Sequence, residues 1–436
     1  MENEAAARAS LGIFFTRMLL IPLGLVTTFI LAGVLGSSNL GVFALVGSLA
    51  MVVIPLVSLG LGAGVFFYLS TEEFRVEDTL GISLVVAVMH GIIGLIFVFL
   101  LNQLNFLGDA GRAIDQVGWM LIAAIFPIQS IQFMLGPVLQ GLGNFSKSNH
   151  VLIVRAISQP LLVVGLVVIG DLGLNGAIAA YLLSLAASVL IGIYGLPKLR
   201  FELNVGLQFL KLAYRFGLKS WPGTLFTKFN LRLDQLLLAP VVAPGVLGNY
   251  YLAVRFSEMP WLLPDGVGPV LAKYIAVERN SDPRLVTEKL HRLMFWTSAA
   301  ACIAGALIIQ PIALFLGQEY SQVAPICAGL FIGTLFFVTS KVLSKHFLAT
   351  GRPGITGLVG VVGGVAALIS YAILIPLYGV GGAVVATVFS YGIRTMMAVY
   401  MYVRICQGNL VNLFKFSARD FIWAYRLLFK VIRRFV

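Results

Sequence analysis

Between Arg215 and Phe256 the chain reads RFGLKSWPGTLFTKFNLRLDQLLLAPVVAPGVLGNYYLAVRF, an apolar stretch that carries Lys219, Lys228, Arg232 and Asp234. A charge at mid-bilayer on a helix costs about 2.5–3.5 kcal/mol even on the mildest scale, so such side chains turn toward a protein interior or a water-filled cavity. On a helix, Trp221, Thr224, Lys228, Arg232 and Gln235 share one stripe, whereas Asp234 falls on another face with Thr227 and Asn230. Further cations recur in other apolar runs: Arg17, Arg155, Lys341, Lys345 and Arg394, with His90 in an apolar run of its own. At about 1.5 Å per residue, Lys228, Lys341 and Arg394 each lie on the order of 15 Å from the cytoplasmic ends of their helices.

Guanidinium and ammonium groups match phosphate geometry. A cavity lined by Arg17, Lys228, Arg232, Lys341, Lys345, Arg155 and Arg394 is therefore expected to hold phosphate, pyrophosphate or acidic sugars, and to reject a cationic drug. Snorkelling to the membrane edge is the plainer role for Lys219, Lys345 and Arg155. Asp234 is expected to pair with a base on a neighbouring helix or to carry a coupling proton or cation. His90 is expected either to make a packing hydrogen bond or to join that coupling.

These side chains need a membrane scaffold, and the composition supplies one. The 436 residues are 59% hydrophobic and 11% charged, with a mean hydropathy of +0.97; a soluble globular chain carries about 25% charged residues. A span needs about 20 apolar residues. That rule predicts an all-α polytopic protein of twelve helices near 11–35, 41–69, 80–101, 117–142, 150–170 and 174–196, then 217–240, 246–274, 291–316, 322–349, 354–377 and 380–405. Glu2 and Glu4 oppose a basic leader, and the run from Leu11 to Leu35 is too long for a signal-peptide core, so it is read as the first span.

Arg8, Arg75, Lys147, Lys198, Arg200, Lys211, Arg215, Arg279, Arg284, Lys289 and Arg352 fall in segments of one side, and the loops of the other side hold only Arg112. The positive-inside rule then puts both termini in the cytoplasm. The net charge of +12 is placed for a membrane surface and not for nucleic acid. Cys302, Cys327 and Cys406 have no partner spacing for a disulfide or a zinc site.

The chain also repeats itself. LAGVLGSSNLGVFALV from Leu31 aligns without gaps to LAPVVAPGVLGNYYLA from Leu238, 207 residues on, and GLNGAIAAYLLS from Gly173 aligns to GVGGAVVATVFS from Gly379, 206 on. Six spans per half give parallel repeats with a substrate path between them. The expected organisation is an N-lobe (1–200, spans one to six), an interlobe linker (201–216), a C-lobe (217–405, spans seven to twelve) and a basic tail (406–436). In that tail Lys415, Arg419, Arg426, Lys430 and Arg433 share one helical face and Phe414, Phe421, Tyr425, Leu428 and Ile432 another. It is expected to lie on an anionic cytoplasmic leaflet, or to dock on the cytoplasmic loops.

Several of these segments resemble the polysaccharide flippases, the Wzx-type O-antigen exporters of the multidrug/oligosaccharidyl-lipid/polysaccharide (MOP) superfamily. The opening helices up to VFFYLS, with Leu35-Gly36 and Leu40 to Leu45, are similar to that family's first two helices. RLDQLLL (Arg232 to Leu238) followed by LGNYYLA is similar to its seventh and eighth, and FLATGRPG (Phe347 to Gly354) to the close of its tenth. The resemblance extends to about residue 405. It implies V-shaped lobes around a basic lumen in a bacterial inner membrane. The implied activity is the flipping of an isoprenoid-pyrophosphate-linked oligosaccharide from the cytoplasmic to the outer leaflet, alongside glycan polymerase or assembly partners. Arg17, Lys228, Arg232 and Lys341 would then hold the pyrophosphate. Two other readings are an ion-coupled exporter of another anionic or amphiphilic solute, of the multidrug or major-facilitator kind, and a non-transporting scaffold for glycan assembly. STEEFRVEDTLG between spans two and three departs from the major-facilitator loop pattern. With no P-loop, paired-carboxylate site or metal cluster in the sequence, no enzyme activity and no cofactor are expected.

Overall fold

The computed structural model of the chain describes residues 2–71, 73–194, 196, 203–261, 264, 282–417 and 420, with the backbone alone over 2–21 and at 203. Helices α1 (Glu2–Val57), α2 (Leu61–Ser70), α3 (Val76–Gln103), α4 (Gly108–Arg112), α5 (Gln116–Gly141), α6 (Phe145–Val163) and α7 (Gly173–Ile193) build the first half. The second half holds α8 (Leu203–Leu238), α9 (Pro244–Ser257), α10 (Pro283–Leu316), α11 (Val323–Ala349), α12 (Pro353–Cys406) and the short α13 (Leu410–Phe414). Among the described residues there is no strand. The protein is all-α and polytopic, as expected: eight helical segments are long and apolar enough to cross a membrane.

The expected twelve segments map onto these helices with shifted bounds. α1 and α12 each bend once, at Gly36 (φ 74°) and at Gly379 (φ 54°), so each supplies two of the segments. The second segment breaks again at Leu59 and Gly60, where positive φ values end α1 before α2 begins. α8 is excluded from the apolar set because Lys228, Arg232 and Asp234 interrupt its run. It also starts earlier than expected, since residues 203–216 belong to the same continuous helix as 217–238. Span eight differs too: α9 stops at Ser257 and passes into a 3-10 turn at Met259–Trp261, while 265–281 lie outside the described residues.

The repeat reappears in the backbone. Gly173 and Gly379, aligned by the repeat, adopt nearly the same φ, 53° and 54°. Gly41 and Gly248, also aligned, cross each other. A Cβ on Gly41 would stand 2.0 Å from the Pro244 carbonyl oxygen, and one on Gly248 would stand 2.0 Å from that of Ser37. Ser37 and Pro244 are themselves repeat partners, so α1 and α9 meet in a self-complementary contact that only glycine permits. At the far end of α1 a similar approach joins the start of α2 to the middle part of α8: a Cβ on Gly217 would lie 2.2 Å from the Gly60 carbonyl oxygen.

A carboxylate reinforces the first crossing. The bend at Gly36 frees the N–H of Ser37 from helical bonding, and Glu319 accepts from that N–H at 3.0 Å and from the Ser37 hydroxyl at 2.8 Å. Beside it, the Tyr320 hydroxyl donates to the Ala32 carbonyl at 2.7 Å and Asn249 donates to the Glu319 carbonyl at 2.8 Å. One loop of the second half thus fastens α1 and α9 together.

The start of the tail docks on α10. Leu413 is fully buried, and His291 Nδ1 bonds its carbonyl at 2.8 Å. Arg292 on α10 bridges Asp420 and donates to the Asn412 carbonyl at 2.6 Å. Arg419, Arg426, Lys430 and Arg433, with Phe421, Tyr425, Leu428 and Ile432, lie outside the described residues.

Glu319→Ala removes the shared acceptor of Ser37. Spin labels at the exposed positions Ser38 and Gln318 should then give a longer and broader distance distribution by double electron–electron resonance than in the parent. An unchanged distribution would show that the glycine crossing alone holds this end.

Candidate substrate-binding cavity

A cavity of about 480 Å³ lies between the two halves. Ser48, Met51 and Pro55 of α1, Gln129, Gln132 and Gln140 of α5, Arg155 and Gln159 of α6 and Tyr181 of α7 form its first-half wall. Lys228 and Arg232 of α8 and Tyr251 and Arg255 of α9 form the other. The volume is in the about 300–1,000 Å³ range of small-molecule pockets.

The charged stripe of α8 faces as helical phase requires. Trp221 donates to the Pro55 carbonyl at 2.9 Å, Lys228 and Arg232 border the cavity, and Gln235 accepts from Ser48. The opposite face turns to α12, where Asn230 donates to the Gly363 carbonyl at 2.9 Å. Asp234, 4% exposed, accepts from the Tyr250 hydroxyl at 2.7 Å and from the Gln235 N–H. Its hydrogen-bond partners among the described residues are thus a phenol and an amide, not the base on a neighbouring helix that was expected.

The cations of the cavity are not equivalent. Arg232 forms a two-pronged pair with Glu258, Nη2 to Oε2 at 3.0 Å and Nη1 to Oε1. Its charge is therefore already matched. Glu258, just beyond α9, is a second acid beside Asp234 that the sequence analysis does not single out. Arg155 lies over the Tyr181 ring at 5.1 Å and donates to Gln132 at 2.9 Å. Arg255 lies over the Tyr251 ring at 5.0 Å, with its Nε buried and unbonded. Among the described residues no carboxylate is within salt-bridge distance of Arg155, Lys228 or Arg255. Arg255 was missed by the sequence reading, though the depth argument reaches it, about 14 Å into its span.

The remaining expected residues are elsewhere. Lys341 sits over the rings of Trp261 and Phe337 at 4.8 and 5.4 Å. Arg394, 6% exposed, covers Phe337 at 4.8 Å, so both cations are held by aromatic faces inside the second half. Neither of them, nor the half-buried Lys345, borders the cavity. His90 bonds the Tyr214 hydroxyl at 2.7 Å, joining α3 to α8 away from the cavity. The Arg17 side chain is outside the described residues.

Breaking the Arg232–Glu258 pair from one side strands a buried charge, at a cost of about 3–5 kcal/mol. Glu258→Gln should therefore lower the melting temperature in detergent far more than Lys228→Gln, and Arg232→Met added to Glu258→Gln should recover much of the loss. Equal melting of the two single variants would place the pair in solvent.

No family model matches the chain. Over 411 residues it is 24% identical to the "Probable flippase AglR" of Haloferax volcanii, a match that spans 90% of this chain and 82% of that protein. In fold it is similar to an inward-facing multidrug resistance MATE family transporter of the MOP superfamily, with a TM-score of 0.71 at 16% identity over 90% of this chain and 98% of that one. The lipid II flippase MurJ in an inward closed conformation gives 0.70 at 15%, over 97% and 92%. An outward-facing MATE family transporter gives 0.55 at 13%, over 92% and 96%. The chain has the fold of the MOP-superfamily transporters and resembles a flippase in sequence.

Proposed function

We propose that the protein is a flippase that carries an isoprenoid-pyrophosphate-linked oligosaccharide from the cytoplasmic to the outer leaflet by alternating access. Two lobes, 1–200 and 217–405, would rock about the cavity, with the lipid tail left in the bilayer and both termini in the cytoplasm of a multi-pass plasma-membrane protein. One observation carries this reading: three cations of the cavity, Arg155, Lys228 and Arg255, have no carboxylate partner among the described residues. Unmatched charge in a membrane interior is costly unless a guest supplies the counter-charge. The similarity to AglR and the likeness to MurJ support a lipid-linked guest. The likeness to MATE transporters supports the second reading, an ion-coupled exporter of another anionic solute. A scaffold has no use for a cationic cavity.

Lys228→Gln and Arg255→Gln each remove one phosphate ligand, and hydrogen bonds to charged groups are worth about 1.5–3 kcal/mol. In proteoliposomes each variant should flip a fluorescent polyprenyl-pyrophosphate glycan at least about tenfold more slowly than the parent, while melting normally. Parent-like flipping by both variants would remove the cavity from the path of the cargo. For Asp234, the expected result is that Asp234→Asn abolishes the response of flipping to an imposed proton or sodium gradient and leaves cargo binding intact. A retained response would confine Asp234 to holding Tyr250.

A further inference from the structure

Two guanidinium groups of the cavity are held in different ways. Arg232 is gripped by the carboxylate of Glu258, which matches its charge. Arg155 is the one cation that the first half brings to the cavity among the described residues. It is gripped instead by the amide of Gln132, whose Oε1 accepts from Nη1 at 2.9 Å. An amide oxygen fixes a guanidinium without neutralising it.

Gln132 is itself fixed in orientation. It is 9% exposed, and a guanidinium can only donate, so the amide oxygen must face Arg155 and the nitrogen must face away. The nitrogen donates to the Ser188 hydroxyl at 3.3 Å, and that hydroxyl donates to the Leu185 carbonyl at 2.7 Å. The same amide oxygen accepts from Gln129 at 3.1 Å, and Gln129 accepts from the Tyr181 hydroxyl at 2.9 Å. The Tyr181 ring closes the loop, because Arg155 lies over it at 5.1 Å. Residues of α5 and α7 thus converge on one guanidinium of α6. Adhesion between these helices does not require an amide at this position. A glutamate at 132 is nearly isosteric, accepts from Gln129 equally well, and would pair with Arg155 as Glu258 pairs with Arg232.

We propose that Gln132 is a positioning and specificity-determining residue of the cavity: it holds the Arg155 guanidinium in place and, being an amide, leaves its charge for an anionic guest. A carboxylate there would turn the cation of the first half into a closed ion pair. The guest is then held between the halves, by Arg155 on one side and by Lys228 and Arg255 on the other. This assignment rests on the flippase reading and adds to it the residue that keeps the first half selective for anions.

The test uses the purified full-length protein, with bare polyprenyl pyrophosphate as the probe and uncharged polyprenol as the reference. Binding is followed by native mass spectrometry with titration. Arg155→Gln sets the scale and should weaken the pyrophosphate about tenfold. Gln132→Glu should weaken it at least as much while melting no lower than the parent, since a carboxylate beside a guanidinium is favoured in its charged form. Gln132→Leu should also weaken it, but no further once Arg155→Gln is present. Polyprenol binding should not change in any variant. Parent-like binding of the pyrophosphate by Arg155→Gln or by either Gln132 variant overturns the positioning role. So do equal losses from Gln132→Leu with and without Arg155. In these cases the flippase reading stands as long as Lys228→Gln weakens the probe. If Gln132→Glu melts low, the paired Gln132→Leu measurements decide the case. Failure of the parent to prefer the pyrophosphate over polyprenol overturns both readings.

Discussion

Charge that has been taken out of water and left without a counter-charge is the constraint on which the rest of this structure turns. The cavity between the halves carries four cations, and one of them, Arg232, is matched by Glu258. The matched pair holds α8 to the end of α9 at the place where the wall must keep its shape. Of the three without a carboxylate partner among the described residues, Arg155 and Arg255 lie over the rings of Tyr181 and Tyr251, and Lys228 borders the cavity beside Arg232. Contact of this kind holds a guanidinium beside a ring and leaves N–H groups able to donate. It offsets part of the cost of burying the two charges and leaves the rest to be met inside the cavity.

Around that cavity the fold is symmetric in its joints and asymmetric in its lining. The crossing of Gly41 with Gly248 repeats the same contact twice, because Ser37 and Pro244 stand in the same relation to one another as the glycines do. A duplicated half naturally makes such a two-fold contact. The lining shows no such relation: four glutamines border the cavity from the first half and none from the second, while three of its four cations come from the second half and only Arg155 from the first. Divergence after duplication is concentrated where a guest would be met, and the joint that both halves share stays fixed by the lack of space for a Cβ.

How much of this could be read from the sequence depends on which coordinate a residue needed. Depth and helical phase are local properties, so Lys228 and Arg232 were legible in a single stretch of α8, as was the turn of Asn230 toward the second half. Direction around the bundle is not local. Lys341 and Arg394 lie at the same depth as Lys228, yet the rings of Trp261 and Phe337 receive them. Phe337 stands one turn before Lys341 on α11, but Trp261 comes from a distant segment, as does Phe337 relative to Arg394, so the spacing marks only one of these contacts. Arg232 and Glu258 are 26 residues apart on different elements, and only the packing of α9 on α8 brings them together. The cavity glutamines were overlooked for another reason. An uncharged amide barely disturbs an apolar run, so a search for charge passes over it.

The length of α8 has a mechanical meaning. Its 36 residues make a rod on the order of 54 Å long. It is pressed against the start of α2 at Gly217, short of its midpoint, and its far end is tied to α1 through Gln235 and Ser48. Near its middle, Pro222 lacks the N–H that would bond one turn back, and its ring crowds the carbonyl there, so this is the weakest point of the rod in bending. Such a body is a jointed rod with its hinge at Pro222. The Gly60–Gly217 joint lies on one side of that hinge and the cavity-facing Lys228 and Arg232 on the other, so flexure at one residue re-aims the two cations while the joint stays closed.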